Sequence, residues 1–152
     1  MRVALASDHA GFPLKQELVA FVRQLGHDAV DLGTDSTAAC DYPDFAEKIA
    51  AEILSGRAER GILLCGSGIG ASVAANKIPG IRAGNCEDYY SSHQGVEHDA
   101  MNVLVLGGRI VGGALAQDMV RAYLHATYTN EERHARRLAK VNAIEARYSR
   151  QS

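Results

Sequence analysis

The chain has 152 residues, 47% hydrophobic and 22% charged, with a formal net charge of −2. That suits one globular domain with a real core and leaves no broad basic footprint for nucleic acid. No apolar run approaches the ~20 residues of a membrane-spanning helix, Met1–Ala6 passes straight into Ser7-Asp8-His9 without a leader, and Cys40, Cys65 and Cys86 have no metal-site spacing, so a cytoplasmic, reduced protein is expected.

Short apolar runs then alternate with longer amphipathic ones. A strand over Arg2–Ala6 opens into Ser7-Asp8-His9-Ala10-Gly11, and a helix over Phe12–Leu25 ends at Gly26, placed to close it at the C′ position. A strand over Asp28–Leu32 and a loop lead to Asp41-Tyr42-Pro43-Asp44. Asp41 has the chemistry of an N-cap, and Pro43 suits the first turn of a helix over Tyr42–Ser55. The third strand, Gly61–Cys65, ends in a cysteine, a Gly-Ser-Gly loop and a helix over Ile69–Lys77. Pro79-Gly80 punctuates the turn before a strand at Arg82–Asn85, followed by a helix over Tyr89–His98. The fifth strand, Val103–Leu106, ends in Gly107-Gly108-Arg109 before helices over Gly113–Ala126 and Glu131–Arg147. This alternation predicts βαβ units, and so a parallel sheet covered on both faces within a single domain, residues 1–152.

The last helical stretch, 131–150, stands apart. It carries Arg133, Arg136, Arg137, Arg147 and Arg150 around a narrow stripe of Ala135, Leu138, Val141 and Ile144. Such a helix either packs on a partner subunit or lies solvated on its own domain.

Leu63-Leu64-Cys65-Gly66-Ser67-Gly68-Ile69-Gly70 is the most informative segment. Glycines let main-chain N–H groups close on an anion, and a helix N-terminus adds positive potential that also favours a thiolate at Cys65. Ligands of open α/β sheets bind beyond the carboxyl ends of the strands. There the chain offers Asp8 and His9, then Asp41–Asp44, then Cys65 with its loop, then Glu87 and Asp88, then Arg109. Singly, Asp8 reads as a helix cap, His9 as a surface residue and Arg109 as a solvated charge. Together they form a rim of acids, bases and anion donors. Gly66-Ser67-Gly68-Ile69-Gly70-Ala71 also satisfies a relaxed dinucleotide fingerprint with Glu87 about 20 residues on, but no second domain is present to hold a hydride partner. No histidine pair has H-E-x-x-H spacing, and the serine lacks the G-x-S-x-G elbow of a hydrolase.

Several of these segments resemble one family. Ser7-Asp8-His9-Ala10-Gly11, Asp41-Tyr42-Pro43, Cys65–Gly70, Ala74–Lys77 with Gly80–Ala83, Glu97-His98, Asn102–Leu104 with Gly107–Arg109, and Arg133–Arg137 match in order the ribose-5-phosphate isomerase B family, which includes galactose-6-phosphate and allose-6-phosphate isomerases. The resemblance implies a Rossmann-like three-layer α/β/α sandwich on a five-stranded parallel sheet. It implies a homodimer, sometimes a tetramer, with the 131–150 helix packing on the partner. It also implies an aldose–ketose isomerase needing no cofactor or metal. In such an enzyme Cys65 would shuttle the proton, Ser67 would relay protons between substrate oxygens, and the N–H groups of Gly66, Gly68, Ile69 and Gly70 would stabilise an enediolate. His98 would open the sugar ring, with Asp8 holding hydroxyls in support and Tyr42 beside the substrate. His9, Arg109, Arg133 and Arg137 would clamp the phosphate; Arg133 and Arg137, four apart, share one helix face. Arg136 points elsewhere. Some members carry a glutamate as base where this chain has Ala71.

Two departures bear on the substrate. Where many members have asparagine after the ring-opening histidine, this chain has Asp99, and a carboxylate cannot donate as an amide does. Ser91–Val96 replaces an arginine-rich stretch; its His93 either contacts the sugar or lies on the surface. Ribose 5-phosphate and ribulose 5-phosphate are the expected substrates, with another aldose phosphate of four or six carbons as the alternative. A non-catalytic sugar-phosphate sensor is the alternative outside the class.

Overall fold

A computed structural model describes residues 1–149; Arg150, the last arginine of the 131–150 stretch, lies outside the described residues. The chain runs β1 (Arg2–Ser7), α1 (Phe12–Gln24), β2 (Asp28–Asp31), α2 (Tyr42–Leu54), β3 (Arg60–Cys65), α3 (Ile69–Ala75), β4 (Ala83–Asn85), α4 (Tyr89–Asp99), β5 (Val103–Gly107), α5 (Gly113–His125) and α6 (Glu132–Tyr148). All strands are parallel, in the order β2-β1-β3-β5-β4. Among the described residues no helix is long and apolar enough to cross a membrane.

The two faces follow from strand alternation. Val3 and Leu5 of β1, Ile62 and Leu64 of β3, and Leu104 and Leu106 of β5 point to one side, where α1, α4 and α5 cover them. Ala4, Ala6, Leu63, Cys65, Val103 and Val105 point to the other, where Phe45, Ala46, Ile49 and Ala50 of α2 and Ala71 and Ala75 of α3 pack. These strand residues are almost fully buried, and each large one contributes about 1.5–3 kcal/mol.

Element ends obey local chemistry. Gly26 takes φ +90° and donates to Arg23 O at 3.0 Å, while His27 N reaches Val22 O at 3.3 Å, the double closure of a Schellman motif. Asp41 occupies the N-cap position of α2 without a side-chain cap bond, so that part of the expectation is corrected; Asp88 does cap α4, accepting from Ser91 N at 2.7 Å. The helix expected to reach Lys77 ends at Ala75 because Asn76 turns its amide onto edge strand β4. Its Nδ2 donates to Ala83 O at 2.9 Å and its Oδ1 accepts from Ala83 N at 2.8 Å.

One charge pair, buried on its lysine side, organises the loop between β2 and α2. Lys15, fully buried on α1, holds Asp31 at 2.6 Å, and the same Asp31 Oδ1 accepts from Gly33 N at 2.9 Å. Ser7 N then donates to Gly33 O and Thr34 N to Ser7 O, both at 2.8 Å. The loop is thereby tied to the carboxyl end of β1.

Candidate active site

Three loops meet where β1, β3 and β5 end. Asp8 N donates to Leu64 O at 3.2 Å, Gly108 N to Cys65 O at 2.8 Å and Arg109 N to Gly66 O at 3.0 Å. These main-chain bonds join the segments carrying Asp8, His9, Cys65, Ser67 and Arg109. Tyr42, at the start of α2, closes the group on another side, its ring 2.6 Å from where a Cβ on Gly70 would stand.

Cys65 Sγ is 4% exposed by residue and accepts the N–H of Gly68 at 3.2 Å. Gly68 holds φ +86°, and a Cβ there would fall 2.3 Å from Asn85 Oδ1, so only glycine fits between the cysteine and β4. Ser67 is exposed; its Oγ accepts from Ile69 N at 3.2 Å, which leaves the hydroxyl hydrogen free to donate. With the Gly68 and Ile69 N–H groups engaged inside the loop, those of Gly66, Ser67 and Gly70 have no acceptor among the described residues. Within the expected set of anion donors, the N–H groups of Gly68 and Ile69 bond to Cys65 Sγ and Ser67 Oγ.

Asp8 is 6% exposed, and its Oδ1 accepts from Ala10 N and Gly11 N, each at 3.0 Å. These bonds close the turn ahead of α1, whose N-cap is Gly11 without a side-chain cap, so Asp8 is not the helix cap of the plainer reading, and its Oδ2 remains. His9 Nδ1 accepts the main-chain N–H of Cys40 at 3.2 Å. The neutral ring then carries its proton on Nε2, a donor suited to a phosphate oxygen. The Arg109 guanidinium lies beside Gly66, with Nη1 3.5 Å from a Cβ position there and no acidic partner among the described residues.

The remaining expected residues gather elsewhere. A helix following a parallel strand runs back, so α4 ends near the amino edge of the sheet. His98 lies shortly before Asn102, whose carbonyl accepts from Gly61 N at 2.9 Å at the entry to β5. The strand itself separates this edge from the Cys65 loop by about 13 Å. α6 starts at the same edge. Thr129 N donates to Glu97 O at 3.0 Å, and the His98 and His134 rings stack at 4.0 Å and 15°. Burial, with His98 and Arg133 close by, lowers the pKa of His134. Arg136 is occupied by Glu132 at 2.7 Å, whereas Arg137 has no acidic partner among the described residues. His93 is bound to Glu97 and edge-on to Tyr89 and Tyr90.

Asp99, next to His98, lines a cleft of about 710 Å³ between α6 and the β4 edge that Arg82, Met101, Val141 and Ile144 also line. The dinucleotide alternative fails on topology. β5 stands between β3 and β4, so Glu87 follows a strand that is not the neighbour of the one leading into the glycine loop.

Three contacts escaped the sequence reading: Cys40 N on His9, Asn85 behind Gly68, and Gln94 on His98, with Gln94 Nε2 2.8 Å from His98 Nδ1. The Gln94–His98 contact has a readable signal in its i,i+4 spacing. The others join residues distant in the chain.

The chain is similar to several known proteins. The chain is 42% identical over 146 residues to ribose-5-phosphate isomerase B of Escherichia coli, covering 96% of this chain and 97% of that one. It is 37% identical over 129 residues to D-erythrulose-4-phosphate isomerase of Pectobacterium atrosepticum, covering 84% and 85%. The solved structure of Clostridium thermocellum ribose-5-phosphate isomerase B superposes with a TM-score of 0.94 at 43% identity, covering 97% of this chain and 99% of that one. The sequence profile of the Ribose/Galactose Isomerase family matches residues 3–141, and the chain belongs to that family.

Proposed function

We propose that this chain is a sugar-phosphate isomerase that interconverts ribose 5-phosphate and ribulose 5-phosphate through an enediolate, without a cofactor. The observation that carries the reading is Cys65 Sγ, held by Gly68 N–H at the mouth of a loop with three N–H groups unengaged among the described residues, in a chain so similar to ribose-5-phosphate isomerases B. Opening of the furanose moves the O1 proton to Asp8 and a proton from His98 to the ring oxygen as the C1–O bond breaks. Cys65 then takes the C2 proton of the open aldose. The N–H groups of Gly66, Ser67 and Gly70 stabilise the negative oxygen, Ser67 passes a proton between O1 and O2, and Cys65 returns its proton to C1. His9 Nε2–H and Arg109 hold the phosphate from the same side.

His98, Arg133 and Arg137 stand at the far edge of the sheet, so they complete the site of a second copy. The homodimer is supported by the surface of α6. His134 is its one buried residue among those described, and Val141, Ile144 and Tyr148 are 50%, 52% and 78% exposed along one face. We take residues 1–152 as one catalytic domain, with 131–150 as its dimerisation helix. Free Cys40, Cys65 and Cys86 support a reduced, cytoplasmic setting. Asp99 and the similarity to an erythrulose-phosphate isomerase favour one second reading, a tetrose phosphate as substrate. Turnover of aldose phosphates of four to six carbons, followed by ketose formation, tests both. Highest kcat/KM on ribose 5-phosphate is expected, and no turnover across the panel overturns the isomerase reading.

A further inference from the structure

His98 is held from two sides. The His134 ring lies flat against it, and His134 is 3% exposed, so the plane of the pair is fixed by α6 rather than by solvent. On its own helix, Gln94 lies one turn before His98 and sets its amide Nε2 2.8 Å from His98 Nδ1. An amide nitrogen only donates, so Nδ1 accepts and the neutral ring carries its hydrogen on Nε2. When the ring is charged, Nδ1 becomes a donor and the carboxamide turns its Oε1 to receive it. A glutamine therefore keeps Nδ1 engaged in both charge states, as neither leucine nor a carboxylate does.

We propose that Gln94 is a positioning residue for ring opening: it occupies Nδ1 of His98 throughout and leaves Nε2 as the nitrogen that meets the sugar. This rests on the reading of His98 as the ring-opening group. In the step it serves, the charged ring passes the Nε2 proton to the ring oxygen, the C1–O bond breaks, and the O1 proton goes to Asp8. The ring left behind holds its hydrogen on Nδ1, toward Gln94 Oε1, only transiently: a new proton at Nε2 recharges it, and release of the Nδ1 proton returns the resting neutral ring with its hydrogen on Nε2.

Gln94→Leu in the full chain separates this role from a structural one. Loss of one hydrogen bond to the reacting group is expected to lower kcat on ribose 5-phosphate about tenfold, with KM within about twofold, because the phosphate clamp is untouched. Ribulose 5-phosphate is acyclic, so exchange of its C1 hydrogen with solvent deuterium needs Cys65 but no ring opening. That exchange is expected to stay within about twofold of wild type. Nitrogen-15 spectra of His98 give an independent readout: the neutral ring carries its proton on Nε2 in the wild type and loses that preference in the variant. An unchanged kcat, an equal fall in turnover and exchange, or a wild-type neutral ring protonated on Nδ1 overturns the proposal. A wild type that neither isomerises nor exchanges overturns the isomerase reading and this inference with it.

Discussion

The two edges of the sheet are built on different terms. At the carboxyl edge, Asp8, His9, Cys65 and Arg109 hang from strands whose apolar residues are almost fully buried, and main-chain bonds lock the loops to one another. At the amino edge, His98, Arg133 and Arg137 depend on α6, a 17-residue helix with one buried residue among those described. The first edge is rigid because the core makes it so. The second has its chemistry in place and its apolar face uncovered. The site proposed above, divided between these two edges, can be dismantled from either side, with different symptoms.

The largest effect is expected at the rigid edge. Cys65→Ala removes the group that moves the carbon-bound proton and should lower isomerisation by about 10³-fold, while calorimetry shows sugar-phosphate binding largely intact. Near-normal turnover would remove Cys65 from the mechanism. At the other edge, Arg137→Ala deletes a charge-assisted contact that ground and transition states share. KM should rise roughly 10- to 100-fold with little change in kcat. Mixing Cys65→Ala with Arg137→Ala sharpens the division. After subunit exchange, each mixed dimer has one pocket with both defects and one with neither, so activity at low substrate should recover well above either parent. Exchange verified by native mass spectrometry with no recovery would return the arginines to their own subunit's pocket.

A smaller effect is expected at Asp99. Asp99→Asn restores an amide donor next to His98 and should change the ratio of kcat/KM between four- and five-carbon aldose phosphates by about tenfold. An unchanged ranking would leave Asp99 as a wall of the α6 cleft and nothing more. The smallest effect is in pH. Burial lowers the pKa of His134, and the same cause, with the N-terminal ammonium, lowers that of His27. Between those folded values and the unfolded value near 6.5 the unfolded chain binds more protons, so stability falls as pH drops through this window and is fully present above it. His134→Phe should flatten the slope below pH 6.5 in denaturant titrations without abolishing it, since His27 continues to titrate. An unaltered slope would mean that His134 is not neutral in the fold.

The rigid edge was legible in the sequence because its signals are local. Strand runs and the Gly-Ser-Gly loop each specify a conformation within a few residues. The divided site was less so. His98 and Cys65 both follow recognisable elements, but only the direction of α4, antiparallel to the strands it covers, puts them at opposite edges. The contact that orients His9 was illegible for another reason: it comes from the main chain of Cys40, 31 residues away, and depends on a loop pinned by Lys15 and Asp31. A side chain meeting a distant peptide group leaves no pattern of residue types.

Asn76 has a consequence for how copies of this chain can meet. An edge strand with unpaired N–H and C=O groups is a template on which another chain can extend the sheet. Here β4 is three residues long, and the Asn76 carboxamide fills the donor and acceptor of Ala83 as a neighbouring peptide would. The sheet is finished at that side by its own chain, so another copy finds no free donor and acceptor at Ala83 on which to extend it strand by strand into a fibre.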